Sequence, residues 1–270
     1  MWVMKNEVVL AIKNLSVQYQ STGMKVENID LSIARGKVLG LLGESGSGKS
    51  TVCSAVLGLQ DTSTVELSGS ICLLGKEILQ LSWSARERVN GKEIGVVLQN
   101  PMTAFDPCMR IGGHFAETIC THLMCKKHDA LLYGLQVLKE VGLADGERIM
   151  KSYPHELSGG MLQRIMVALA ISLNPVLIIA DEPTTALDAS SQGVILDLLS
   201  FVMRKYRPAM LLISHDIDVM AALANDLIVM KDGRIVERGT FSAIMRAPQH
   251  PYTKELVAAA QAMEVDFCCR

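Results

Sequence analysis

The sequence predicts an α/β fold: a parallel sheet, an antiparallel β layer and an inserted helical stretch. Three observations carry this. From Val176 to Met245 apolar runs and helical runs alternate, and that βαβ rhythm builds a parallel sheet. Residues 7 to 35 and Val65 to Ile78 instead alternate in the manner of strands with one wet face. Between Pro101 and about Leu173 the chain is mostly helical.

Taken in order, Val8–Ile12 and Leu15–Tyr19 read as strands, followed by the turn residues Ser21, Thr22 and Gly23. Lys37–Leu42 reads as a short buried strand and Thr51–Leu57 as the start of a helix. Val65 to Ile78 holds a hairpin-like pair around Gly69 and Gly75. Ile94–Leu98 is a buried strand ending at Gln99. Leu157-Ser158-Gly159-Gly160 opens a helical run, Ile165 to Leu173, which Asn174-Pro175 ends. Val176–Ala180 is an apolar strand that runs into Asp181-Glu182, and Leu211–Ile213 is a second one that runs into Ser214-His215-Asp216. A short helix is expected at Thr253–Met263, with a loose end after it.

Composition sets outer bounds. The 270 residues carry 26 Lys+Arg against 28 Asp+Glu, a net charge of −2, so a general nucleic-acid surface is not expected. At 49% hydrophobic the chain can fill a sizeable core, and most of its 15 methionines belong there. Seven cysteines, an odd number without C-x-x-C pairs, read as a reducing compartment rather than a disulfide framework. Met1–Leu10 carries no signal-peptide pattern, and no stretch is long and apolar enough to span a bilayer. If the chain serves transport, another chain supplies the membrane path.

Gly43-Glu44-Ser45-Gly46-Ser47-Gly48-Lys49-Ser50 fits G-x-x-x-x-G-K-[ST] between a strand and a helix. Glycines let backbone N–H groups face one concavity above a helix N-terminus, which suits phosphate. Lys49 then reaches the β/γ-phosphates and Ser50 ligates Mg²⁺. Asp181, at the end of its strand, suits a water-mediated Mg²⁺ contact. The alternatives are a glycine-rich turn that binds nothing and a strand-end charge pair; the motif in its context argues against both. Ser158 is a natural N-cap, and Gly159 and Gly160 leave amides open to an anion.

With this loop, LSGG at Leu157–Gly160 and the strand ending in Asp181-Glu182, the chain resembles the ATP-binding subunits of ABC transporters over roughly residues 7 to 255. The resemblance implies a P-loop NTPase core with an antiparallel β subdomain and an inserted helical subdomain at about 101–173, in one domain spanning 1–255, with 256–270 as a tail. It implies Glu182 as general base, Gln99 as a contact to Mg²⁺ and the attacking water, and His215 as a γ-phosphate contact. It implies Tyr19 stacked on adenine and the loop Gly43 to Thr51 around the phosphates. Ser158, Gly159 and Gly160 would face the ATP of a second ATPase subunit, identical or not, with Thr184–Asp188 crossing that interface. ATP and Mg²⁺ are the implied cofactors. Two transmembrane permeases and an extracytoplasmic binding protein are the implied partners, at the cytoplasmic face of a bacterial inner membrane.

Within that family, Ala104–Pro107, Tyr153-Pro154 and His250-Pro251-Tyr252-Thr253 look like the peptide/nickel importer branch. Leu162 looks more like the nickel and metallophore importers, so nickel or a metal chelate is the first cargo reading and di- or oligopeptides the alternative. A soluble ABC-type ATPase in DNA repair or translation is the reading from another class; it calls for a long coiled-coil insertion, a zinc module or two fused ATPase domains, and a basic surface, and none is visible. His114, Cys120, His122, Cys125 and His128 have the chemistry of metal ligands, but their spacing matches no known finger. The loop Pro101–Gly113, with Met102, Phe105, Met109 and Ile111 in no clear period, is expected to meet a partner chain.

Overall fold

A computed structural model of the chain describes residues 7–20, 25–61 and 63–268, with backbone only at 189–190 and 261–268. The chain forms two units, Met1–Gln80 with Leu211–Arg270, and Leu81–Met210. The turn read at Ser21–Gly23, and Cys269, lie outside the described residues.

The first unit opens with β1 (Val8–Tyr19), β2 (Lys25–Ala34), β3 (Val38–Leu42), α1 (Lys49–Leu57), β4 (Val65–Leu73) and β5 (Lys76–Glu77). An antiparallel sheet runs in the order β2-β1-β4-β5. The two N-terminal strands expected from sequence are one strand with a bulge. Buried positions are even at Leu10 and Ile12 and odd at Leu15 and Val17. The register slips between Lys13 and Ser16, and Asn14 takes φ 48°. Gly69, read as a turn residue, sits inside β4 opposite this bulge: a Cβ there would come 2.5 Å from the Asn14 carbonyl oxygen. Only Gly75 serves a turn, between β4 and β5, at φ 77°.

The second unit runs through α2 (Trp83–Val89), β6 (Ile94–Val97), α3 (Pro101–Ala104), α4 (Ile111–Leu123), α5 (Lys127–Glu140) and α6 (Gly146–Lys151). A 3₁₀ turn at Pro154–Glu156 leads to α7 (Gly159–Ile171), then β7 (Leu177–Asp181) and α8 (Ala189–Tyr206). β6 and β7 pair in parallel, Ile94 to Leu177 through Val97 to Ala180. Helix α7 covers β6 so closely that a Cβ on Gly95 would sit 2.4 Å from the Ala170 carbonyl oxygen. The helical core gathers Phe115, Ile111 and Ile119 of α4 with Ala130 and Leu138 of α5, all buried. Gly134 admits this packing, since a Cβ there would meet Phe115 at 2.9 Å.

Through β8 (Ala209–Ile213) the chain returns to the first unit, which ends with α9 (Ile217–Leu223), β9 (Asp226–Lys231), β10 (Arg234–Thr240), α10 (Phe241–Arg246) and α11 (Pro251–Cys268). β3 pairs in parallel with β9, Leu39 to Asp226 through Leu42 to Val229, and β10 runs antiparallel on β9. The Ser214 N–H beyond β8 donates to the Leu41 carbonyl, 3.4 Å. All five residues of β3 and of β8 are buried, as strands covered on both faces require. The C-terminal helix is longer than the Thr253–Met263 stretch read from sequence, running on to Cys268. Among the described residues no helix is long and apolar enough to cross a membrane.

Candidate active site

The first unit holds the phosphate-type loop at the C-terminal end of β3. Buried Val38–Leu42 ends at Gly43, where a Cβ would sit 2.4 Å from the Met230 carbonyl oxygen of β9. Gly46 and Gly48 take φ 83° and 101°, the left-handed region that glycine enters without strain. Gly48 is the N-cap of α1, and Lys49, Ser50 and Thr51 form its first turn. The Lys49 ammonium bends back over the loop, 2.6 Å from the Gly43 carbonyl oxygen and 2.8 Å from that of Glu44. Its stem is buried, as is Thr51, while Glu44, Ser45, Gly46 and Ser50 face solvent. The Ser47 N–H donates to the Glu44 carbonyl, 3.2 Å, and the Glu44 N–H donates to the Tyr252 hydroxyl oxygen, 2.9 Å. The sequence offered no sign of this second contact.

Tyr19 ends β1 half-buried, and its hydroxyl donates to Gln60 Oε1 at 3.0 Å. His215, two residues past β8, is exposed, and the Ser214 hydroxyl oxygen just before it accepts the Asp216 N–H at 3.0 Å.

The second unit carries the remaining candidates. Gln99 stands two residues beyond β6 rather than at its end, before the Asn100 cap of α3. Asp181 closes β7 half-buried. Glu182 follows with φ 50°, a conformation that costs a non-glycine residue and that clusters at functional positions. The Thr185 hydroxyl donates to Glu182 Oε2 at 2.6 Å and so fixes the carboxylate's direction. Ser158 caps α7, its hydroxyl oxygen accepting the Met161 N–H at 3.3 Å. A Cβ on Gly159 would only touch Leu187, at 3.9 Å, whereas one on Gly160 would meet the Ser191 Oγ at 3.1 Å. Asp188 caps α8 through the Ser191 N–H, 2.9 Å.

One buried residue joins these segments. Gln163 of α7 is fully buried, and its Nε2 donates to the Pro183 carbonyl at 2.8 Å and to the Leu98 carbonyl at 3.2 Å. It thus ties the chain just after Glu182 to the chain just before Gln99. An amide among Leu162, Ile165 and Met166 was the available signal, because a buried polar side chain needs partners.

One expectation changes. Phe105 is not offered to a partner: it is 5% exposed and packs edge-on against His114, centroids 5.1 Å apart. Ile111 is buried in α4, so of the four apolar residues named in that loop only Met102 is largely exposed. In the His/Cys stretch the Cys120 and Cys125 sulfurs lie 3.8 Å apart. Burial, then the Cys125 thiol, pushes the Cys120 thiol up. Among the described residues no three His, Cys, Asp or Glu side chains gather as a metal site.

The hydroxyl of Ser50, the carboxylate of Asp181 and the amide oxygen of Gln99 are all hard oxygen donors, the kind Mg²⁺ takes.

Known proteins resemble the chain along its length. A family model described as ABC transporter matches residues 26–185. The oligopeptide transport ATP-binding protein OppD of Lactococcus lactis subsp. cremoris is 39% identical over 97% of this chain and 78% of its own length. The metal-staphylopine import system ATP-binding protein CntD of Staphylococcus aureus is 38% identical over 96% of this chain and 95% of its own. Among solved structures, cbiO1 of Clostridium perfringens, part of the ABC transporter complex cbiONQ, superposes with a TM-score of 0.75 at 25% identity, covering 89% of this chain and 92% of that one. A dimeric ATP-binding cassette in a post-hydrolysis state with ADP and Pi gives the same TM-score and identity over 86% and 98%. The β3–loop–α1 geometry, the capped glycines of α7 and these likenesses agree: the chain belongs to the ABC transporter family, as one of its ATP-binding subunits.

Proposed function

We propose that this chain hydrolyses ATP to drive a bacterial importer, with nickel or a metal chelate as cargo. The observation that carries the ATPase reading is Lys49, its buried stem delivering the ammonium to the Gly43 and Glu44 carbonyls at the head of α1. The loop amides and Lys49 hold the phosphates, and Tyr19 stacks on the base. Ser50, Asp181 and Gln99 would hold Mg²⁺, which offsets phosphate charge when bound. Glu182 orients the attacking water and accepts its proton, and His215 donates toward charge building on the γ-phosphate. Ser158, Gly159 and Gly160 meet the γ-phosphate held by a second ATPase subunit, and two permeases and a binding protein complete the importer.

The permease has a candidate footing within the second unit. A groove of about 580 Å³ runs between the end of the α3–α4 loop and helices α5 and α6, its lining including Met109, Leu131, Leu135 and Met150 together with the charged Arg110 and Lys151. Import of di- or oligopeptides is the second reading, favoured by the 39% identity to an oligopeptide transport protein.

Glu182→Gln tests the chemistry. The amide cannot take a proton, so the variant is expected to bind ATP with near-normal affinity while turnover falls ~10²-fold or more. Phosphate release beside a nucleotide titration reads both, and near-normal turnover would remove Glu182 as base. Uptake of radioactive nickel, of a metal chelate and of a tripeptide by membranes carrying the reassembled importer separates the cargo readings.

A further inference from the structure

We propose that Tyr252, at the start of α11, is a positioning residue of the nucleotide site: it sets the shape of the phosphate loop by holding the peptide unit between Gly43 and Glu44. The proposal rests on reading Gly43–Ser50 as the ATP-binding loop.

That peptide unit is gripped on both edges. Its N–H donates to the Tyr252 hydroxyl oxygen at 2.9 Å, and its carbonyl accepts from the Lys49 ammonium at 2.6 Å. Glycine at 43 leaves the peptide free to rotate. A rotation would carry away the oxygen on which Lys49 rests. The tyrosine fixes the plane of the peptide and, through it, the resting place of the one side chain in the loop that meets phosphate.

Tyr252 is itself held firmly. It is 4% exposed, and the Lys231 ammonium stands 4.6 Å from its ring centroid. Its backbone N–H donates to His250 Nδ1 at 3.2 Å. The Glu237 carboxylate of β10 accepts the Gln249 N–H at 2.8 Å and the His250 N–H at 2.9 Å, which anchors the entry to α11. Burial foremost holds the Tyr252 phenol above its ordinary value; the bond from the Glu44 N–H works the other way, and the charges of Glu44, Asp232 and Glu255 add to burial, so the hydroxyl stays neutral near pH 7. On its far side the loop is tied to the β9–β10 turn, where the Gly233 N–H donates to the Ser47 carbonyl at 3.2 Å. His250-Pro251-Tyr252-Thr253 therefore belongs to the nucleotide site by mechanical linkage, although none of the four is part of the loop.

The test is Tyr252→Phe, which keeps the ring and deletes the acceptor. Titrations with ATP and ADP, steady-state turnover and the thermal midpoint without nucleotide are measured on the purified chain, with Lys49→Ala as control. The expected result is a rise of about 3- to 10-fold in Kd for both nucleotides and in KM, the scale of one hydrogen bond. The kcat stays within about 2-fold and the nucleotide-free midpoint within ~3 °C of wild type. Unchanged Kd values overturn the proposal, as does a lowered midpoint with unchanged Kd, which makes Tyr252 a packing residue. Wild-type chain that binds ATP no better than Lys49→Ala overturns the loop reading and the proposal with it.

Discussion

At the scale of single residues, Glu182 sits in a costly backbone conformation. Its φ of 50° places an L-residue where a Cβ is crowded, one residue past the end of β7. The Thr185 hydroxyl, 2.6 Å from Oε2, keeps the carboxylate on a fixed bearing. Thr185→Val keeps the branched shape and removes the donor. We expect its kcat to fall about 3- to 30-fold with KM for ATP nearly unchanged, since the lost contact orients a base and binds no nucleotide. Steady-state phosphate release over a range of ATP concentrations checks this, and a change confined to KM would contradict it.

At the scale of elements, Gln163 turns α7 into a tie between two strand ends. Its amide serves the Leu98 and Pro183 carbonyls from a fully buried position. Gln163→Met is nearly isosteric but leaves both carbonyls without that donor, and we expect about 1–3 kcal/mol of lost stability. Denaturant unfolding reads that loss, and unchanged stability would mean that neither carbonyl depends on the amide. The strands and the glycine loop were legible in sequence because period and motif are local. Gln163 was not, because its partners lie 65 and 20 residues away in chain order. The Asn14 bulge hid for another reason: a phase shift between Ile12 and Leu15 reads equally well as a break between two strands. Tyr252 was visible only as a branch marker, since nothing local links it to a loop 208 residues earlier.

At the scale of the molecule, the proposed importer role requires force to pass from nucleotide chemistry to a partner. Phe105 is core, so Phe105→Ala is expected to cost about 3–5 kcal/mol and to lower ATP turnover and uptake together. The groove offers the sharper test. Met109→Glu sets a charge into its apolar lining, away from the phosphate loop in sequence and unit. We expect basal turnover of the purified chain to persist while uptake by the assembled importer falls ~10-fold or more. Paired measurement of phosphate release and cargo accumulation decides it, and full uptake would place the permease elsewhere.

Gly233 carries one more consequence. A Cβ there would fall 1.9 Å from the Lys25 carbonyl oxygen, while its own N–H serves Ser47 and its carbonyl accepts the Glu27 N–H. A saturation scan scored on growth would rank Gly233 beside Lys49, because every substitution there displaces β2 or the loop. Gly95, pressed against the Ala170 carbonyl, would rank the same way without any bond to a reacting group. Intolerance in this chain therefore marks closeness of backbone as strongly as it marks chemistry. Telling the two apart takes a nucleotide titration at each intolerant position, since fitness alone returns the same zero for both.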